Sequence, residues 1–243
     1  KDVKKTSITQ IVSSIFTESD HHNGTLGTLG FTSPTGIIST GFTTPEAIEI
    51  HHMLKTLLNG GINYAVLEIS SHSLEYHRVD DLDVDVAVFS NLTEEHLDFH
   101  GNMDVYYQAK LKLFKELDSS KHSVINIDDQ YGEKIIKNTK SKIITYGLGK
   151  YADIYPIEIN YSLDGISAHL NILGRPTEVI SSLIGEYNLL NIMAGIGVGV
   201  ALDLPIKNII NGINKLETIP GRMEKIHTSL PGNFYVDYEI GRA

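Results

Sequence analysis

Residues 84–90, VDVAVFS, run directly into residues 91–101, NLTEEHLDFHG. The first stretch is short and apolar, with no regular polar alternation. The second crowds two histidines, three carboxylates and an asparagine into a single turn-sized segment. A short apolar run is the pattern of a strand buried on both faces, and such strands belong to parallel sheets covered by helices. YAVLEIS (64–70) and SVINI (123–127) repeat the pattern. Between them lie helical periods. Thr44 as N-cap, Pro45 at the first helical position, a stripe of Ile48, Met53, Leu54 and Leu57, and Gly60-Gly61 as the stop predict one helix. Further helices are predicted over 8–16, 103–117 and within 187–216, and GTLGTLGF (24–31) reads as a Gly-punctuated strand. Around Asp164-Gly165 the spacing shortens and alternates, predicting a small antiparallel hairpin on the sheet edge within 153–184. The fold class is α/β, a mostly parallel sheet with helices on both faces. Ligands of such sheets lie outside the carboxyl ends of the strands, where Glu68, Ser70, His72, Ser90, Asn91 and Asp128 fall.

Composition narrows the chemistry. A chain of 243 residues with 41% hydrophobic content can bury a real core. The formal charge of -10 and the lack of a Lys/Arg-rich block argue against nucleic acid and anionic membrane surfaces as partners. No apolar run reaches the length of a membrane span, and no signal-peptide pattern opens the chain. With no cysteine there is neither a disulfide framework nor a thiolate metal site, and a cytoplasmic monomer is the expectation.

Each candidate constellation has an ordinary reading beside the chemical one. Lys4-Lys5-Thr6-Ser7 running into a helix has the order of a phosphate site: backbone N–H groups and the helix dipole meet the anion, lysine neutralises it, and the threonine hydroxyl reaches Mg²⁺. It is equally the basic start of a surface helix. Glu68 at a strand end suits a magnesium ligand or a capped carboxylate. His96, Asp98 and His100 are spaced for a zinc site, yet Leu97 and Phe99 between them look like anchors that bury one side of the turn. His21, His22, His51 and His52 read as loop or surface residues. Lys110, between Ala109 and Leu111 with Phe114 beyond, sits either in solvent or in a partly apolar setting where it can lose its proton and be modified.

Taken in order, GTLGF, TTPEA, LEISSHSLEYHRV, the 84–101 stretch, MDVYYQAKLKLF, INIDD, GEYNLLNIMAG and IPGRME resemble the central ATP-binding domain of the Mur ligases. Within that family they are most similar to the tripeptide synthetase branch, whose members add the third residue of the peptidoglycan stem peptide. The resemblance covers nearly the whole chain and implies a P-loop-type sheet. It implies ATP-driven amide formation through an acyl-phosphate, with ATP and Mg²⁺ as cofactors and UDP-N-acetylmuramoyl-dipeptide and an amino acid as partners. Thr6, Glu68, His96 and Lys110, the last as a carbamate, would serve Mg²⁺, with Glu68, His96 and Lys110 the catalytic set. Lys5, Thr6 and Ser7 would hold the phosphates, and Asn188, Asn191, Arg222 and Asp237 the adenosine end. Thr43, Thr44, Ser70, His72 and Arg78 would meet the muramoyl dipeptide. Asp98 and His100 are expected to shape the loop.

Three departures stand out. The glycine-rich phosphate loop of relatives is here Lys1-Asp2-Val3-Lys4-Lys5-Thr6, in which side chains at Lys1 and Lys4 would crowd a phosphate. Tyr76 replaces the usual glutamine, and EIGRA follows Val236-Asp237-Tyr238 where relatives continue differently. The chain reads as a piece of a longer protein: residues 1–232 form the ATP-binding domain and 233–243 start a further ligase domain. Two readings stay open, an enzyme whose fragment is inactive by itself and a non-catalytic module that binds nucleotide or muramoyl ligand.

Overall fold

The computed structural model describes residues 3–34, 36–94, 97–226, 228, 232 and 234–237. Helix α1 (Val3–Glu18) leads into β1 (Asn23–Gly27), β2 (Gly30–Ser33) and β3 (Gly36–Ile38). Then come α2 (Ala47–Asn59), β4 (Tyr64–Leu67), α3 (Ser71–Glu75), β5 (Val86–Phe89), α4 (Leu97–His100) and α5 (Met103–Glu116). The chain continues through β6 (His122–Asn126), α6 (Gln130–Ile136) and β7 (Lys142–Tyr146) into the meander β8 (Ile154–Ser162), β9 (Gly165–Ile172) and β10 (Arg175–Ser181). Helices α7 (Glu186–Ala201) and α8 (Ile206–Lys215) and the ribbon β11 (Glu224–Ile226) with β12 (Phe234–Val236) follow.

The parallel strands divide between two sheets. One has the order β10-β9-β8-β7-β6-β5, parallel from β5 to β8 and antiparallel through the meander. The other has the order β3-β2-β1-β4, with β1 and β4 parallel. Helices cover both faces of the larger sheet, α7 lying across β5 to β8 and α6 against β6 from the other side. The core beneath α7 is tight because the helix is glycine-rich where it meets its neighbours: a Cβ on Gly195 would come within 2.4 Å of Ile11, and one on Gly197 within 2.5 Å of Val124. Ile11, Val124, Ile154, Leu170 and Leu189 are fully buried there, as dispersion at interior density requires.

Three expectations need correction. The 24–31 run is a hairpin, β1 turning at Thr28-Leu29 into β2, because Gly30 takes φ +95° at the turn. The helix predicted from Thr44 starts at Ala47: Glu46 caps it, its N–H bonding the Glu49 carboxylate at 3.2 Å, and the Thr44 hydroxyl is committed elsewhere. The edge hairpin within 153–184 is a three-stranded meander. Neither α6 nor β7 was legible, both being short and flanked by polar residues. At the other end, β12 pairs back onto β11.

Candidate active site

Glu68 follows β4 directly and is 3% exposed. Its carboxylate accepts from the Thr6 hydroxyl (3.2 Å), from the Thr28 backbone N–H (3.0 Å) and from the Thr28 hydroxyl (3.0 Å). Thr6 stands in the first turn of α1, so the start of α1, the β1–β2 turn and the end of β4 meet on one side chain. Gly27 makes the meeting possible, since a Cβ there would lie 2.2 Å from Glu68 Oε1. Burial pushes the Glu68 carboxyl above its ordinary value; the Thr28 N–H and hydroxyl, the charge of Lys5 and the Thr6 hydroxyl pull the other way. A hard divalent cation suits this set. Mg²⁺ favours one or two carboxylates with hydroxyl, water and phosphate oxygens filling its octahedron, and Glu68 and Thr6 are such donors. Beyond Thr6, Arg222 donates from Nη2 to the threonine oxygen at 3.4 Å, so a cationic side chain closes the cluster.

On the other side of Glu68 the backbone continues the network. Its carbonyl accepts from the Thr44 hydroxyl (2.8 Å), which in turn accepts from Ser70 N–H (3.2 Å). Arg78 donates to the Thr44 carbonyl (3.1 Å) and pairs with Glu46 (2.6 Å). The Ser70 hydroxyl caps α3 by accepting from Ser73 N–H, and Thr43 contacts Thr28 through their hydroxyls at 3.3 Å. His72 lies over the Phe99 ring at 4.0 Å. Its pKa is lowered chiefly by burial, with Lys5 and Arg78 adding to the fall and Asp98 opposing it.

The end of β5 is built differently. The loop after Ser90 is pinned by Asn126, which donates to the Ser90 carbonyl (2.7 Å), and by Asp129, which accepts from Leu92 N–H (2.7 Å). Lys110 reaches the Asn91 carbonyl at 3.4 Å and lies 5.2 Å from the Tyr106 ring centre. His96 lies outside the described residues, so its place beside Glu68 and Lys110 rests on the sequence. His100 is buried against Ser71 Oγ at 2.9 Å and stacks on Tyr106 at 4.8 Å, the setting of a loop anchor. Among the described residues no group of three or more His, Cys, Asp or Glu side chains is placed to hold a metal; the zinc alternative of His96, Asp98 and His100 includes a residue outside them.

At the start of α7, Asn188 donates to the Ile184 carbonyl (2.7 Å) and Asn191 to the Asn188 side chain (2.9 Å). Tyr187 beside them is raised chiefly by burial, with the charge of Asp237 adding and that of Arg222 opposing. Arg222 thus links this end to Thr6. Ser7 is fully buried behind Thr6. Lys1 and Asp2 lie outside the described residues, and the backbone is already helical at Val3 and Lys4. The partner that sequence reasoning missed is Thr28. The signal was the glycine before it, which marks a close approach that only a missing side chain allows.

The Mur ligase middle domain profile matches residues 5–199. The chain is 36% identical over 234 residues to the UDP-N-acetylmuramoyl-L-alanyl-D-glutamate--2,6-diaminopimelate ligase of Caldanaerobacter subterraneus subsp. tengcongensis, covering 96% of this chain and 48% of that protein. A solved structure of a ligase of the same name superposes with TM-score 0.85 at 30% identity, covering 93% of this chain and 47% of that one. The MurF ligase from Thermotoga maritima in complex with ADP shares the fold, with TM-score 0.71 at 19% identity over 93% of this chain and 49% of that one. The chain therefore spans about half the length of the curated relatives it matches. Among the described residues no helix is long and apolar enough to cross a membrane. With the profile covering most of the sequence, the chain belongs to the Mur ligase family and carries its middle domain.

Proposed function

We propose that this chain is the ATP-binding part of a ligase that adds the third amino acid to UDP-N-acetylmuramoyl-dipeptide. The observation that carries the reading is the convergence of Thr6, Thr28 and Arg222 on Glu68 and its neighbour at the head of α1. An ATP-driven ligation brings two anions together, so cations and fixed donors must supply the stabilisation. Lys5, Ser7 and the N–H groups at the start of α1 hold phosphate, while Glu68, Thr6 and His96 hold Mg²⁺, which neutralises charge on the phosphate oxygens. Asn188, Asn191, Arg222 and Asp237 form the adenosine side, and Thr43, Thr44, Ser70, His72 and Arg78 the muramoyl side. Lys110, on α5, would as a carbamate supply a second carboxylate toward the cation. The stem-peptide carboxylate takes the γ-phosphoryl group, and the amine of the amino acid then displaces phosphate. Residues 1–232 and 233–243 are read as the ATP-binding domain and the start of a second ligase domain.

The test uses the protein in its full-length context with ATP, Mg²⁺, UDP-N-acetylmuramoyl-dipeptide and either lysine or diaminopimelate. Amino-acid-dependent phosphate release matched by tripeptide product is expected. Lys110→Ala should abolish it, and a short carboxylate in solution should restore part. Phosphate release that ignores the amino acid, or a Lys110→Ala enzyme of full activity, would overturn the reading. The 243-residue chain by itself should stay at background, because positioning of the amine is worth roughly 7 to 11 kcal/mol in favourable cases. Lys4→Gly should tighten its binding of ATP in calorimetry without producing turnover.

A further inference from the structure

A buried imidazole is kept against its desolvation cost by what it bonds and packs on, and His100 is buried between two parts of the candidate site. Its Nε2 shares a hydrogen bond of 2.9 Å with the hydroxyl of Ser71, itself buried. Ser71 opens α3, between Ser70, which caps that helix, and His72. The imidazole ring stacks on Tyr106 at 4.8 Å, with 12° between the planes. Tyr106 stands on α5 one turn before Lys110, whose ammonium lies 5.2 Å from the centre of the same ring. One side chain therefore touches the start of α3 and the aromatic neighbour of Lys110.

The local chain fixes His100 there. α4 is a single turn, and Gly101 N–H closes it on the Leu97 carbonyl at 2.8 Å. Gly101 takes φ +75°, and Asn102 then caps α5 by accepting from Val105 N–H at 3.0 Å, so the imidazole is held at the head of the helix that carries Lys110. Phe99, the residue before, reaches toward α3: its ring lies 4.0 Å from that of His72 and 5.6 Å from that of Tyr76, and it meets His100 edge-on at 4.7 Å. The two rings form a wedge between α3 and α5. A second bridge joins the same helices, Lys112 donating to Glu75 at 2.9 Å, but the two side chains are 36% and 42% exposed, where an ion pair contributes little. The wedge is the buried connection.

We infer that His100 is a positioning residue that acts in two directions: through Ser71 it sets the start of α3, and through its stack on Tyr106 it sets Lys110. The inference rests on the roles proposed above for Ser70 and His72 toward the muramoyl ligand and for Lys110 toward the cation. The two actions use different parts of the side chain. A hydrogen bond is directional, so the Ser71 hydroxyl tied to Nε2 fixes the rotation of the first residue of α3. A stacked ring takes freedom from Tyr106, and the flexible stem of Lys110 then lies against a fixed surface. Because one action needs the nitrogen and the other the ring, they can be removed separately.

The test uses the protein in its full-length context and two variants: His100→Phe, which keeps a ring but no nitrogen, and His100→Gln, whose amide reaches Ser71 but has no ring. Calorimetry gives the Kd of UDP-N-acetylmuramoyl-dipeptide. Trace acetylation with acetic anhydride, followed by peptide mass spectrometry, gives the labelling of Lys110 relative to Lys115 on the same helix; neither readout needs turnover. His100→Phe should weaken muramoyl binding about ten-fold, the effect of one lost buried hydrogen bond, with Lys110 labelling as in the parent. His100→Gln should speed Lys110 labelling about five-fold, the effect of one lost aromatic contact, with the Kd unchanged. Glu75→Gln, which cuts the exposed bridge, should change neither. If His100→Gln does not fold, Tyr106→Leu should give the faster Lys110 labelling at unchanged Kd. A histidine that only fills space would move both readouts together in both variants, or move neither, and either pattern overturns the inference. A parent that does not bind the muramoyl dipeptide removes the proposed function instead, and the Lys110 labelling of the two variants still decides whether His100 holds that lysine.

Discussion

Strands β4 and β6 are written in similar letters, YAVL and HSVIN, and lead very different lives. β6 has a parallel neighbour on each side and helices on both faces, and every residue after His122 is buried. Among the described residues β4 has one strand neighbour, none of its residues is fully buried, and Ala65 is exposed. Yet the residue after β4, Glu68, accepts three hydrogen bonds on its carboxylate, whereas near the end of β5 Lys110 reaches the Asn91 carbonyl at 3.4 Å and lies 5.2 Å from the Tyr106 ring centre. Apolar composition says that a strand belongs inside; its neighbours decide whether it gets there. In this molecule the larger sheet supplies the packing and the smaller sheet supplies the preorganised carboxylate.

The sharpest way to break that contrast is a pair of truncations. Ile125→Ala, at a fully buried position of β6, should lower stability by about 2 to 5 kcal/mol through lost transfer energy and a residual cavity. Val66→Ala in β4 should lose no more than about 1 kcal/mol, since less apolar area leaves water there to begin with. Urea midpoints of the two variants decide it. Equal losses would mean that β4 is as buried in solution as β6, and the contrast would be gone.

Gly27→Ala should fall between these. Its new methyl meets the Glu68 carboxylate at 2.2 Å, so either the β1–β2 turn or Glu68 has to move, an overpacking cost of about 1 to 3 kcal/mol. If Glu68 moves, ATP affinity in the presence of Mg²⁺ falls along with stability. Calorimetry beside a thermal melt separates the two, and a variant that binds and melts like the parent would show that the close approach around Glu68 has no energetic weight.

Much of this was legible beforehand, for physical reasons. Strand runs such as 84–90 and 123–127 betray themselves because burial on two faces favours apolar letters, and the position of Glu68 just past YAVL placed it at a carboxyl end. What stayed hidden depended on partners distant in sequence. Thr44 looked like a helix cap because local spacing allowed it, but a buried carbonyl 24 positions on competed for its hydroxyl and won. Thr28 was passed over for the same reason. Its value comes from a carboxylate 40 positions later, and only the small residue before it hinted at the approach. The split of the parallel strands into two sheets could not be read at all, since β4 and β5 announce their own burial and not the identity of their neighbours.

The smallest effect concerns the charge on Glu68, and it tests whether the tightly held end of β4 is held at a cost. Burial raises the folded-state pKa of this carboxyl above its ordinary value of 4.5. Between that ordinary value and the raised one, the folded protein keeps a proton that the unfolded chain has already lost. Folding stability therefore falls as pH rises through this window and levels off above the raised value; below pH 4.5 the penalty is absent. Glu68→Gln removes the titration while keeping the shape. Its amide oxygen can still accept the Thr28 N–H, and its NH₂ can donate to the two threonine hydroxyls. The stability of the variant minus that of the parent should thus grow with pH across the window and become constant beyond it, read as the difference in urea midpoints along a pH series without nucleotide. A difference that is flat with pH would mean that the hydrogen bonds and Lys5 fully offset burial. A difference that shrinks as pH rises would mean that they exceed it, and that the carboxylate at the end of β4 is favoured in its charged form before any cation arrives.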